Sequence, residues 1–202
     1  MSAFASGTKS AFLSSVSIAK ERDLAGKVHF VADIIRSVQP NAKKAKSLAR
    51  AIVYESRAAG YDPLFVAAVI KAESTFRRSV RSHKGAVGLM QLLPSTAKYI
   101  SRKRNIDWLG VSTLTEARYN VRLGIAYLKY LEEMYDGNRK LALIAYNWGP
   151  GKVHQASKRG GTPPRSTLRY ASRILSDHSS WKGNYLDRYQ QYRFLNVSYL
   201  GS

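Results

Sequence analysis

Apolar residues in this 202-residue chain recur three and four apart, in stretches cut at short intervals by proline, glycine and capping side chains. That period belongs to the α-helix, whose inward face returns about every 3.6 residues; a half-buried strand would alternate instead. Val28, Val31, Ile35 and Val38 form one stripe, ended before Pro40. A second helix is predicted from about Lys43 to Ala59, with Ala45, Leu48 and Ile52 on one face and Gly60 as its stop. Asp62 and Pro63 then supply a carboxylate cap followed by proline at the first helical position. Phe65, Val69, Ala72 and Phe76 mark that helix's buried stripe. The stretch from Ser79 to Val87 is polar and holds Gly85, which predicts a loop or small β-hairpin.

Further on, Pro94 opens a helix reaching about Arg104. Thr113 and Glu116 stand at capping-box spacing before a long helix through Asp136, with Val121, Ile125 and Leu128 inward. Asn138 caps a short helix holding Leu141, Ile144 and Ala145, which Gly149-Pro150-Gly151 must end. Pro163 and Pro164 precede a helix with Leu168, Ala171 and Leu175. The whole reads as a mostly helical domain with at most a very small sheet.

Charge narrows the partners. The chain carries 33 Lys+Arg against 13 Asp+Glu, a net +20, so its surface favours polyanions through long-range, salt-sensitive attraction. Nucleic acid, anionic lipid and wall polymers bearing carboxylates or phosphates all qualify. No helix-turn-helix, RNA-binding or zinc motif is present, so no specific nucleic acid is expected. The absence of cysteine excludes disulfides and thiolate metal sites. His29, His83, His154 and His178 lack metal-ligand spacing and read as surface or structural residues; no metal is expected. No Gly-rich phosphate loop or nucleophile elbow occurs either. No window approaches the ~18 apolar residues of a membrane-spanning helix. Residues 1–19 carry one lysine and a short apolar patch broken by serines, unlike a secretory signal, so a mature, truncated or separately exported chain is expected.

One carboxylate stands out. From Ser74 to Ile106 there is no acidic residue, and between Lys71 and Asn105 nine Lys/Arg face Glu73 alone. Glu73 falls at the edge of the apolar stripe, where burial disfavours its ionised form and raises its pKa toward neutrality. A general acid for glycoside cleavage needs that shift. The competing reading is a surface pair with Arg77 at i,i+4, worth about 0.3–0.5 kcal/mol; that positive charge would pull the pKa down.

The segments around Glu73-Ser74 carry a resemblance. They are the run from Gly85 to Ala97 (GAVGLMQLLPSTA), the run from Asn120 to Leu128 (NVRLGIAYL) and the run from Ala142 to Val153 (ALIAYNWGPGKV). Their succession, over about residues 50 to 175, resembles the soluble lytic transglycosylase family, whose catalytic domain is lysozyme-like and close to goose-type lysozyme. The implied fold class is mainly α, of the α+β lysozyme-like kind: a pair of helical lobes with a very small β-hairpin or sheet beside the catalytic groove.

The resemblance implies that Glu73 is the catalytic acid/base for the bond between N-acetylmuramic acid and N-acetylglucosamine of peptidoglycan. It implies 1,6-anhydromuramyl products and no cofactor. Ser74 would position substrate, or merely bond backbone as a helix C-terminal hydroxyl. Gly88, Met90 and Gln91 would line the cleft, or form a tight turn with Met90 as core filler. Tyr146 and Asn147 would face Glu73 across the groove, with Tyr146 hydrogen-bonding near the carboxylate. The Pro164–Tyr170 segment resembles the family's late Pro-x-x-Thr-x-x-Tyr motif and implies a second cleft tyrosine, Tyr170. Trp148 and Ser166 depart from the family, which usually has a small residue and often a glutamate there; Trp148 reads as core.

The expected organisation is an N-terminal, partly helical segment 1–42, a catalytic domain 43–178, and an aromatic-rich extension 179–202 packing on it. In the extension Tyr185, Tyr189 and Tyr192 make a helical stripe, either docking on the core or extending a sugar platform. The expected partner is the glycan strand, with anionic envelope polymers or a secretion or phage assembly as further candidates. A monomer in the cell envelope, periplasmic or exported, is expected. Two other functions stay open: a hydrolytic lysozyme of goose type, and a basic, non-catalytic module binding the envelope or nucleic acid.

Overall fold

The computed structural model describes the backbone of residues 3–198 and the side chains of residues 18–188. Within that span, helices dominate: α1 (Ala3–Val38), α2 (Ala45–Ala58), α3 (Pro63–Ser74), α4 (Pro94–Lys103), α5 (Ala117–Met134), α6 (Arg139–Trp148), α7 (Pro150–Lys158) and α8 (Arg165–Ser198). Two isolated antiparallel bridges, Arg81 with Val87 and Val87 with Leu92, make the only β pairing among the described residues. This is the mainly helical, lysozyme-like class.

The capping chemistry of α3 and α6 follows the sequence. Asp62 Oδ1 accepts from the Leu64 amide at 3.0 Å with Pro63 in the first turn, and Asn138 Oδ1 accepts from the Leu141 amide at 3.0 Å. Four features differ. Thr113 lies in a 3-10 turn (Ser112–Thr115) and its hydroxyl donates to the Leu109 carbonyl, while Glu116 is itself the residue before α5 and forms no side-chain cap. Gly149, at φ +98, does end α6, but Pro150 then starts α7, because proline's fixed φ and missing N–H suit a first turn. Helix α3 is not merely striped: Leu64 through Ile70 are all buried, so it is a central helix packed all round. Phe76, expected on that helix, lies beyond its end, though still buried.

Two hydrophobic clusters result. The larger joins α1, α2, α3, α6, α8 and the inward face of α5. The smaller gathers Val87, Leu92, Ala97, Ile100, Leu114, Tyr119 and Leu123 around α4. Tyr127, Tyr130 and Tyr146 pack against both and mark the seam between the lobes. Helix α8 runs without a break from Arg165 past residue 178, and its Tyr185 is buried against α1, edge-on to Phe30 at 5.5 Å with its hydroxyl donating to Asp23. That is the docking alternative for Tyr185; the side chains of Tyr189 and Tyr192 lie outside the described residues.

Candidate active site

Helix α3 delivers Glu73 in its last turn, and the neighbouring charges turn elsewhere. Lys71 reaches Asp177 on α8 at 2.9 Å and lies 5.3 Å above the Trp181 ring. Arg77, the expected surface partner, donates its Nε to the Ser74 carbonyl at 3.2 Å. Glu73 is left without a cation among the described residues. Its one side-chain hydrogen bond comes from the Tyr170 hydroxyl of α8, which donates to Oε1. Burial pushes the Glu73 carboxyl up to about 7, against the lowering effect of that bond. At neutral pH it is therefore close to half protonated. Burial, and then the charge of Glu73, hold the hydroxyls of Tyr146 and Tyr170 well above the usual tyrosine range, so both stay neutral donors.

The chain leaves α3 under strain. Thr75 and Phe76 take φ +50 and +64, a left-handed conformation costly for residues with a Cβ. Gln39 pins the turn by donating to the Thr75 carbonyl at 2.6 Å. Further along the chain, Gly88 to Gln91 form a tight turn built on Asn120 of α5. Asn120 is fully buried; its Oδ1 accepts from the Met90 amide at 2.8 Å, and its Nδ2 donates to the carbonyls of Leu114 at 2.8 Å and Val87 at 3.1 Å. Tyr146 then closes the site from α6 by donating to the Met90 carbonyl at 2.7 Å. Three of these polar contacts fix one turn, and the fourth ties Asn120 to the segment before α5. On α6, Asn147 is exposed and its Oδ1 accepts from the Thr167 hydroxyl at 3.1 Å.

These contacts revise several expectations. Glu73, Tyr146 and Tyr170 do come together, but the tyrosine bonded to the carboxylate is Tyr170, while Tyr146 donates to the Met90 carbonyl. Ser74 is buried and its hydroxyl donates to the Ile70 carbonyl at 3.1 Å, which is the helix-end alternative and leaves it turned from any groove. Met90 is fully buried core filler; a Cβ on Gly124 would stand 2.2 Å from its Sδ. Gly88 is glycine for packing, since at φ +84 a Cβ would stand 2.4 Å from both the Leu114 carbonyl oxygen and Asn120 Nδ2. Gln91 remains partly exposed, but its amide nitrogen is used by the Gly88 and Val80 carbonyls. Trp148 packs against the large cluster, and His178 meets Asp62 at 2.8 Å, a structural role. Asn120 and Thr167 carried no assigned role in the sequence reading. Asn120 opened a recognised segment, but an asparagine at an inward helical position gives no sign of which backbone groups it will satisfy. Among the described residues no group of His, Asp and Glu is placed to hold a metal ion.

Comparison with known proteins points to one family. A family model described as the transglycosylase SLT domain matches residues 50–168. A soluble lytic murein transglycosylase of Salmonella typhimurium is 38% identical over 90 residues, which is 44% of this chain and 14% of that protein. The structure is similar to that of an inactive mutant of lytic transglycosylase Slt from Pseudomonas aeruginosa, at TM-score 0.61 and 31% identity, covering 80% of this chain and 30% of that one. It is also similar in fold to the 70 kDa soluble lytic transglycosylase of Escherichia coli, at TM-score 0.62 and 23% identity, covering 77% and 29%. The chain therefore corresponds to under a third of these longer proteins.

Proposed function

The chain belongs to the transglycosylase SLT domain family, and from that premise we propose that it cleaves the N-acetylmuramic acid to N-acetylglucosamine bond of bacterial peptidoglycan, leaving 1,6-anhydromuramyl ends. One observation carries this reading: a part-buried carboxyl, without a cation, held by a tyrosine hydroxyl and raised to about 7. An acid poised there gives up a proton readily yet retains a large protonated fraction. Glu73 donates that proton to the glycosidic oxygen as the bond to the anomeric carbon breaks. The substrate's own acetamido oxygen covers the positive charge left at that carbon. Glu73, now a carboxylate, takes the proton of the muramyl 6-hydroxyl, whose oxygen attacks the same carbon. The carboxyl ends the cycle as it began, and no water is consumed.

Tyr170 supports both halves of this cycle, because its bond is stronger to the carboxylate than to the acid. The turn from Gly88 to Gln91, fixed by Asn120 and Tyr146, gives the site a rigid backbone element, tied to Glu73 through Tyr146, whose hydroxyl feels the Glu73 charge. Gln91, Asn147 and Tyr170 are the residues of this site proposed to meet sugar. Hydrolysis by an activated water would ask for a second carboxylate, and the acid-free stretch from Ser74 to Ile106 supplies none. The place of action follows from the substrate: the cell envelope, periplasmic or exported. No described helix is long and apolar enough to cross a membrane.

The test is direct. Purified peptidoglycan incubated with the protein should lose turbidity and release soluble muropeptides, and Glu73→Gln should release none. Solubilisation that persists in Glu73→Gln would end this assignment.

A further inference from the structure

Between α1, α2 and the loop before α5 lies a groove of about 900 Å³ that shares none of the Glu73 contacts. Its floor is apolar, set by the buried Ile35, Ala45, Leu48 and Phe76. Its rim is cationic. Lys44, Arg50, Arg77 and Arg78 line it with no acidic partner among the described residues, while Arg118 is held by Glu55 at 2.9 Å. A single carboxylate, Glu116, faces the same space. Tyr54 and Leu109 stand at its lip, 50% and 58% exposed, and carry the apolar lining out to the surface.

The groove starts where the Glu73 helix stops. The left-handed turn at Thr75 and Phe76 places Phe76 in the floor and Arg77 in the rim, and Arg77 also donates to the Ser74 carbonyl. Gln39 lines the groove and pins the same turn through Thr75. Whatever lies in the groove thus bears on the backbone that fixes Glu73.

We propose that this groove binds an acidic peptide: the carboxylate-bearing stem peptides attached to the muramic acid residues of the substrate. The proposal rests on the peptidoglycan reading above. A polyphosphate would gain from the cationic rim but nothing from a floor of isoleucine, leucine and phenylalanine. A peptide in which carboxylates alternate with alanine methyls uses both. The volume falls in the range of about 300–1,000 Å³ that encloses a ligand of a few residues. It also gives the chain's strong positive charge a task, drawing an acidic polymer toward one face before any bond is cut.

Four probes titrated into the full chain carrying Glu73→Gln decide it: a free stem tetrapeptide, the same peptide with its carboxylates amidated, a peptide-free N-acetylglucosamine oligosaccharide, and random-sequence duplex DNA. The tetrapeptide should bind, and amidation should weaken it at least tenfold. Arg50→Glu with Arg78→Glu, both exposed positions, should cost at least tenfold in tetrapeptide affinity and leave oligosaccharide affinity unchanged. Tyr54→Ala, which leaves the charges alone, should give a smaller loss. Three results would overturn the proposal: no tetrapeptide binding, tetrapeptide binding insensitive to both amidation and charge reversal, or DNA outcompeting the tetrapeptide through Arg50 and Arg78. Failure of the catalytic reading would show elsewhere, as a wall left intact by the unsubstituted protein. An intact cleavage activity beside a silent tetrapeptide titration sinks the groove proposal alone.

Discussion

Replacing Glu73 by glutamine should stabilise the folded chain, and increasingly so as pH rises. Burial moves this carboxyl from 4.5 to about 7. Each tenfold in proton affinity is worth about 1.4 kcal/mol, so keeping Glu73 ionised costs the folded state about 3 kcal/mol. The folded-state pKa lies above the unfolded one. The stability contributed by Glu73 is therefore complete below about pH 4.5 and lost as pH rises through about 7. Glutamine keeps an oxygen for the Tyr170 hydroxyl but does not titrate. Between pH 4 and pH 8 the advantage of Glu73→Gln should grow by about 3 kcal/mol, or roughly 6–12 °C in Tm for a chain of this size. Thermal melts or urea midpoints of both proteins at pH 4, 6 and 8 measure it. A gap that stays constant with pH would refute the claim that burial sets the acid strength of Glu73.

Tyr170→Phe removes the bond that lowers the Glu73 pKa. A hydrogen bond to a charged group is worth about 1.5–3 kcal/mol, so the alkaline limb of the pH–activity profile should move up by about one to two pH units, read from initial rates of wall solubilisation. Gly88→Ala puts a methyl 2.4 Å from the Leu114 carbonyl oxygen at a left-handed position; urea unfolding should show a loss of about 2–4 kcal/mol, and a loss under 0.5 kcal/mol would mean the Asn120 turn is far softer than its contacts indicate. Tyr146→Phe leaves the Met90 carbonyl unmet, and the same assay should show about 1–3 kcal/mol.

Most of the helical frame was legible because its signals are local. Asp62-Pro63 and Asn138 declare their helix starts through side chains that bond amides two and three residues on, and no distant residue is needed to make them work. Thr113 and Glu116 had capping-box spacing, yet the Leu109 carbonyl took the threonine hydroxyl first. Helix α7 was hidden because proline after glycine reads as a stop, and the same proline is also a good first helical residue. At the site, Glu73 and Tyr170 were singled out through the motifs in which they stand. Which tyrosine bonds the carboxylate was not, since that choice depends on how α6 and α8 pack across the seam. The roles expected of Ser74 and Met90 shared one fault: a motif fixes residue identity but not the direction in which a side chain points. Ser74 bonds down its own helix and Met90 fills the space that Gly124 leaves.

In the proposed reaction one glutamic acid moves a proton twice and no water enters. Mass spectrometry of muropeptides released from purified wall tests it most directly. The released disaccharide peptides should be lighter by one water than their hydrolysed counterparts and resistant to borohydride reduction, because a 1,6-anhydro ring has no free anomeric carbon. Products that carry that water and are reduced by borohydride would contradict it.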